Sequence, residues 1–222
     1  MRLIAPTVEL IACPENPLEF LEGVARTCYQ SFDKAGPGTA ERMVKMLINR
    51  GHTAMIEHFV MTFRIKTDRG VLAEMTRHRI ANFAVESSRY CDYKDAMEFL
   101  LPAWMNADFL GEWDYQELSN AYPTMDDWTA TAVFIADCIQ TEKNYKALRE
   151  LGWRPEQARQ VLNMSLATEI VMTVNPRSLL NFFELRTAKA AHPNMRVIAQ
   201  MMLEKAREKV PVIFDGVGNG DG

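Results

Sequence analysis

Phe59, Met61, Phe63 and Ile65 alternate with Thr62, Arg64 and Lys66, and this two-residue period predicts a half-buried strand over residues 59–66. The turn Thr67-Asp68-Arg69-Gly70 follows, and a helix is expected from about Val71. Strand and helix form a rigid scaffold that delivers Arg77-His78-Arg79 near the helix end, with Ser87 after seven more residues and Arg89 beyond it. Guanidinium forks around an imidazole concentrate hydrogen-bond donors suited to phosphates or a ring anion.

The rest of the chain reads as more helix than strand. Residues 2–12 are an expected strand, and Asn16-Pro17-Leu18-Glu19 then supplies a cap, a proline at the first helical position and a glutamate at N3 for a helix to about Phe32. After the loop DKAGPGT, Thr39 is expected to cap a second helix that runs to about Asn49 and ends at Gly51. Residues 101–124, with two tryptophans and two prolines, read as loop with short helical pieces. A long helix is expected over about 125–151 with Gly152 as C-cap, and a shorter one from Pro155. Ser165–Val174 reads as strand in its second half, although Leu166–Glu169 would also suit a helix. Asn175 caps the next helix with Pro176 at N1, and Pro193 opens the last. The sum is an α+β (mixed α/β) chain, expected as one domain over 1–214 with a disordered tail at 215–222.

A surface ion-pair patch is the competing reading of the arginine cluster, since Glu74 lies three residues before Arg77 and four before His78, where helical side chains meet. Whole-chain charge sharpens the choice. A net charge of −4 and a pI near 5.7 argue against a partner that is a nucleic-acid polymer, so the cluster is a local site in an acidic protein. Cys13, Cys28, Cys91 and Cys138 form no C-x-x-C pair, which fits a reducing, cytoplasmic setting. Pro6 and Glu9 interrupt the apolar N-terminus before any signal core, and no apolar stretch approaches membrane-spanning length, so no membrane partner is expected. His52 and His58, six apart around Glu57, match neither H-E-x-x-H nor H-x-x-E-H, and no metal is expected. There is no G-x-G-x-x-G or P-loop sequence, so any nucleotide is held without those loops.

Arg77-His78-Arg79 with Ser87 resembles the signature of the flavin-dependent thymidylate synthases. His52 through Glu57-His58 to Phe63 is similar to that family's segment before the signature, and Thr173-Val174-Asn175-Pro176-Arg177-Ser178-Leu179 through Arg186 is similar to its closing segment. The resemblance implies the family's fold, with helices packed around a small mixed or antiparallel sheet, and a homotetramer whose active sites are shared between subunits. It implies synthesis of dTMP from dUMP, with FAD as cofactor, NADPH as reductant and methylenetetrahydrofolate as carbon donor. FAD contacts are implied for His52, Glu57, Arg77, His78, Arg79, Asn175, Arg177 and Asn181. Contacts to dUMP are implied for Glu74, Arg77, Glu86, Ser87, Ser88, Arg89, Arg159 and Arg186, with Arg186 as the catalytic residue on the uracil ring.

The residues themselves agree with parts of this assignment. Arg177 and Asn181, four apart, share a helical face, and the capped helix start suits anionic or carbonyl groups. Arg186 lies roughly 140° around a regular helix from Asn181 and is expected to meet a different ligand or subunit, unless the helix ends before it. The chain departs from the commonest pattern at Glu74, where many members carry glutamine, and at Ala84-Val85, where many carry Asn-Glu, with Glu86 one place later. Arg159 also reads as a plain surface arginine, His58 as structural and Cys91 as a small packing residue. A non-catalytic nucleotide-binding module is the alternative function.

Overall fold

The computed structural model describes residues 1–218, with strands β1 (Arg2–Ile4), β2 (Thr7–Ala12), β3 (Met61–Asp68), β4 (Asn82–Val85), β5 (Glu98–Leu100), β6 (Gly111–Glu112) and β7 (Ala167–Val174). The helices are α1 (Pro17–Thr27), α2 (Thr39–Asn49), α3 (Arg69–Met75), α4 (Tyr115–Ala121), α5 (Ala130–Glu150), α6 (Pro155–Ala158), α7 (Pro176–Arg186), α8 (Pro193–Lys209) and α9 (Pro211–Phe214). This is the expected α+β class. Among the described residues no helix is long and apolar enough to cross a membrane. Contacts group the chain into two compact units. The first holds Met1–Pro6, Lys66–Met75 and Val85–Glu169, and the second holds Thr7–Ile65, Thr76–Ala84 and the chain from Ile170 onward.

In the first unit a three-stranded mixed sheet has the order β5-β1-β6, with β1 parallel to β5 in the register Leu3 opposite Phe99 and antiparallel to β6. Helix α5 presents Ile135, Cys138, Ile139, Glu142 and Tyr145 on one buried stripe, the three-to-four-residue period of an amphipathic helix. Leu3, Phe99, Leu118 and Leu166 join that stripe in one core. Each such large apolar side chain contributes about 1.5–3 kcal/mol when fully buried. Glu142 is buried too, where it meets the N-terminal ammonium at 2.6 Å and Lys146 at 2.5 Å.

The second unit is built on a sheet of order β2-β3-β7-β4. Met61, Phe63 and Ile65 are buried while Arg64 is exposed, as the alternation requires, and Thr62 shares a 3.0 Å hydroxyl hydrogen bond with Thr173 of β7. Phe182, Phe183 and Phe214 form an edge-on chain of rings at 5.6 and 5.8 Å, buried with Ile198 and Met202 of α8.

Several boundaries differ from expectation for local reasons. The strand expected over 2–12 breaks before Thr7, because Pro6 has no N–H for a ladder, and its halves join different sheets. Helix α1 stops at Thr27 because Arg26 turns its guanidinium onto Glu22 and the carbonyls of Ser31 and Lys34, which draws the chain into a loop with Gln30 at φ 47°. Thr39 is the first helical residue of α2 rather than its cap, since Gly38 in the left-handed region holds the cap position and the Thr39 hydroxyl bonds Gly36. The predicted turn at 67–70 is absent. Instead β3 passes straight into α3, and Asp68 Oδ1 accepts from the Val71 N–H at 2.7 Å as a side-chain cap. Helix α5 begins at Ala130, where Thr129 caps it, and Met125–Asp127 forms a separate 3-10 turn. Asp215 and Val217 donate backbone bonds to Pro211 and Phe214 in a turn after α9, while residues 219–222 of the expected tail lie outside the described residues.

Candidate active site

Two segments of the second unit bring the cluster to its place. Helix α3 ends at Met75, so Arg77, His78 and Arg79 sit in the irregular stretch before β4 rather than on the helix. Strand β7 ends at Val174 and the chain enters α7 at once, with Asn175 Oδ1 accepting from the Ser178 N–H at 2.8 Å and Pro176 at the position where a missing N–H costs nothing. These segments and Glu57 wall a cleft of about 720 Å³, within the roughly 300–1,000 Å³ of small-molecule sites. Its lining brings together Glu57, Arg77, His78, Arg79, Asn175, Arg177, Asn181 and Arg186 from the predicted set.

The charge there is lopsided. Four guanidiniums face one carboxylate, Glu57, which pairs with Arg177. Arg77 and Arg79 make no hydrogen bond or ion pair among the described residues, so the cleft presents two uncompensated cations beside a helix N-terminus. Arg186 Nε donates to His78 Nε2 at 2.9 Å, which requires a lone pair on that nitrogen and therefore a neutral ring protonated at Nδ1. Burial first, and then the Arg186 charge, hold the His78 pKa below its usual value, in keeping with that tautomer. Apolar groups share the lining. The His78 ring meets the edge of Phe182 at 4.8 Å, and Ile80 and Leu185 line the cleft with 74% and 55% of their surface exposed.

Arg186 and Asn181 lie roughly 140° apart on α7 yet share one cleft. Helix α7 continues through Arg186, and both residues line the same cleft. Lining side chains from Arg177 to Arg186 span roughly 180° of the helix circumference, because the cleft wraps the helix rather than touching one stripe. Ser178, Phe182 and Arg186, at i, i+4 and i+8, carried a sequence signal for this that the pairing of Arg177 with Asn181 hid. Ile80 carried none.

His52 does not line the cleft. It is exposed and heads the 3-10 turn Thr53–Glu57, with its N–H on the Leu47 carbonyl at 2.8 Å. Six others belong to the first unit and are not among the lining residues: Glu74, Glu86, Ser87, Ser88, Arg89 and Arg159. Ser87 O accepts from Tyr90 N–H at 3.0 Å and Cys91 N–H at 2.9 Å, folding Ser87–Cys91 into one helical turn with Ser88 buried and Arg89 exposed. Glu86 accepts from the Tyr93 hydroxyl at 2.7 Å, and burial together with that bond pushes the Tyr93 pKa up. Glu74 is half-buried in α3, and Arg159, also half-buried, opens the 3-10 turn Arg159–Val161.

The family model described as thymidylate synthase complementing protein matches residues 9–212. A flavin-dependent thymidylate synthase of Halobacterium salinarum is 30% identical over 94% of this chain and 93% of that protein. Among solved structures, the UMP/dUMP methylase PolB of Streptomyces cacaoi, bound with 5-Br dUMP, superposes with a TM-score of 0.76 at 22% identity over 97% of this chain and 96% of that one. Thymidylate synthase X of Helicobacter pylori, with FAD and dUMP, does so with a TM-score of 0.73 at 24% identity over 95% and 98%. Both share this chain's fold.

Proposed function

This chain belongs to the thymidylate synthase complementing protein family, and from that premise we propose that it is a flavin-dependent thymidylate synthase that makes dTMP from dUMP, with FAD held in the cleft of the second unit. The observation that carries the reading is the cleft itself, where Arg77 and Arg79 have no partner among the described residues and share the lining with the capped start of α7 and with apolar Ile80 and Leu185.

FAD fits this donor set. Arg77, Arg79 and the first turn of α7 suit its diphosphate, and exposed Ile80 and Leu185 offer a surface for its flat ring. Glu57, His78, Asn175, Arg177 and Asn181 complete that set, with His52 joining from the turn before Glu57. Bound FAD supplies the reducing equivalents for the methyl group. NADPH is the proposed source of those equivalents and methylenetetrahydrofolate the carbon donor. Ser87, Ser88, Arg89, Arg159, Glu74 and Glu86 are proposed as dUMP-binding residues, as are Arg77 and Arg186, in sites shared between subunits. Arg186 stabilises negative charge as it spreads over the uracil carbonyls, and neutral His78 holds its Nε until the ring arrives. The chain is proposed to act as one domain over 1–214, in a cytoplasmic homotetramer with shared sites.

Tritium release from dUMP labelled at C5 tests the reading. Release that requires FAD, NADPH and methylenetetrahydrofolate together is expected, and dUMP that keeps its label under all three removes the proposed activity.

A further inference from the structure

Ser87, Ser88 and Arg89 lie far in sequence from Arg159, yet one side chain of the first unit bonds toward both. Arg149, near the end of α5, donates from Nε and Nη2 to the two oxygens of Asp92 at 2.9 and 2.8 Å, and from Nη1 to the Trp153 carbonyl. Asp92 directly follows the Ser87–Cys91 turn. That turn is tied at its other end as well, by the Glu86 N–H on the Glu169 carbonyl at 2.9 Å and by Tyr93 on Glu86. Trp153 precedes a second stiff element: the Arg154 carbonyl accepts from Gln157 and Ala158 at 2.9 Å each, and Arg159 follows directly. Side chains of Arg149 and Asp92 are 25% and 19% exposed, so the fork is partly shielded from water. A lysine cannot bond two carboxylate oxygens and a carbonyl in one plane.

We propose that Arg149 is a positioning residue for dUMP: through Asp92 on one side and the Trp153 carbonyl on the other, it holds the Ser87–Arg89 turn and the Arg159 turn in the spacing that one nucleotide requires. This rests on the assignment of those residues to dUMP. Arg149 itself touches no substrate. Its loss therefore acts on the arrangement of the binding groups, while the cleft for FAD keeps every lining residue.

The test compares FAD-loaded wild type, Arg149→Lys, Asp92→Asn and the double variant. Calorimetric titration with dUMP and steady-state kinetics are read beside the FAD absorption band and thermal melting. Misplacement of binding groups by about 1 Å can cost about 100-fold, so each single variant is expected to raise the Kd and KM for dUMP roughly 10- to 100-fold, with kcat within about twofold. The double variant should be no worse than the worse single, because both changes break one link. An unchanged Kd for dUMP in folded Arg149→Lys and Asp92→Asn overturns the proposal. So does loss of FAD along with dUMP, or melting of both variants below the assay temperature, each of which makes the pair a support of the fold. If wild type itself binds no dUMP, the functional assignment fails first, and the two failures are told apart by that control.

Discussion

The cleft of the second unit and the Ser87–Tyr93 segment of the first carry the same kinds of residue in opposite states. In the cleft, Arg77 and Arg79 have no partners among the described residues, and one carboxylate stands among four guanidiniums. In the first unit, Arg149 is fully engaged by Asp92 and a carbonyl, and Glu86 is held by Tyr93. Charge left without a partner is costly to the fold and useful to a ligand, whereas charge already paired stiffens the backbone and offers a ligand little. The signature segment therefore joins two physical states, uncompensated charge in the second unit and a hydrogen-bonded turn in the first.

The largest expected effect is on the cleft's contact with the reacting ring. Arg186→Ala should lower dTMP turnover by about 100- to 1000-fold, the usual loss when a donor aimed at developing charge is removed, while the FAD band and NADPH-driven flavin reduction persist. Rapid-mixing kinetics separates the halves, and normal methylation by the chemically reduced variant would end the assignment of Arg186.

A paired substitution then probes the contrast itself. Arg79→Ala should weaken FAD binding by about 10- to 100-fold, the worth of one or two charge-assisted hydrogen bonds, yet leave stability within about 0.5 kcal/mol because no partner is orphaned. Asp92→Asn should do the reverse, costing about 1–3 kcal/mol by stripping charge from a bidentate pair while FAD binding holds. Urea denaturation and FAD titration on both proteins check this, and equal loss of FAD in the two would erase the distinction.

The two regions should also part company in acid. Hydrogen bonds from Arg149 lead the causes that hold Asp92 at about 2, below its ordinary 3.8, so the stability it lends is present above pH about 4 and fades only as pH falls through about 2. His78 is also held down, from 6.5, so its neutral form favours the fold above that value and stability declines as pH falls below it through the folded value. Urea midpoints followed from pH 7 to pH 2 should show an early loss that His78→Asn abolishes and a late one that Asp92→Asn abolishes. A single late transition in wild type would contradict the neutral imidazole.

The smallest effect is expected at Cys91, half-buried in the Ser87–Tyr93 turn region. Cys91→Ala should change turnover by less than about twofold, since the proposed flavin-dependent reaction needs no thiol as nucleophile. Loss of dTMP formation with FAD and dUMP still bound would instead make it a nucleophile. Cys138, buried and pushed up to about 12 mainly by that burial, should stay unreactive to thiol reagents until the protein unfolds, while exposed Cys28 reacts at once.

Much of this was legible from residue order. The cap and N1 proline of α7, the alternation of β3 and the stripe of α5 are local, because side chains within one turn or one strand repeat decide them. Boundaries went astray where a distant or unusual contact intervened, as at Arg26, whose guanidinium closes a loop instead of extending a helix. The candidate site divided the same way. Eight of the predicted residues share one cleft, Arg186 and Asn181 among them, because the cleft wraps α7 rather than touching one stripe.

Residue types, caps and periodicities determined by themselves that this chain builds an α+β fold and concentrates arginines around His78. Tertiary structure alone decided which of those charges remain unpaired. Arg177 meets Glu57 from 120 residues away, Arg186 meets His78 from 108 and Arg149 meets Asp92 from 57. Such pairings depend on how sheets and helices bring distant segments together, and no short-range preference encodes them, because a guanidinium takes whichever carboxylate, imidazole or carbonyl the fold sets within about 3 Å.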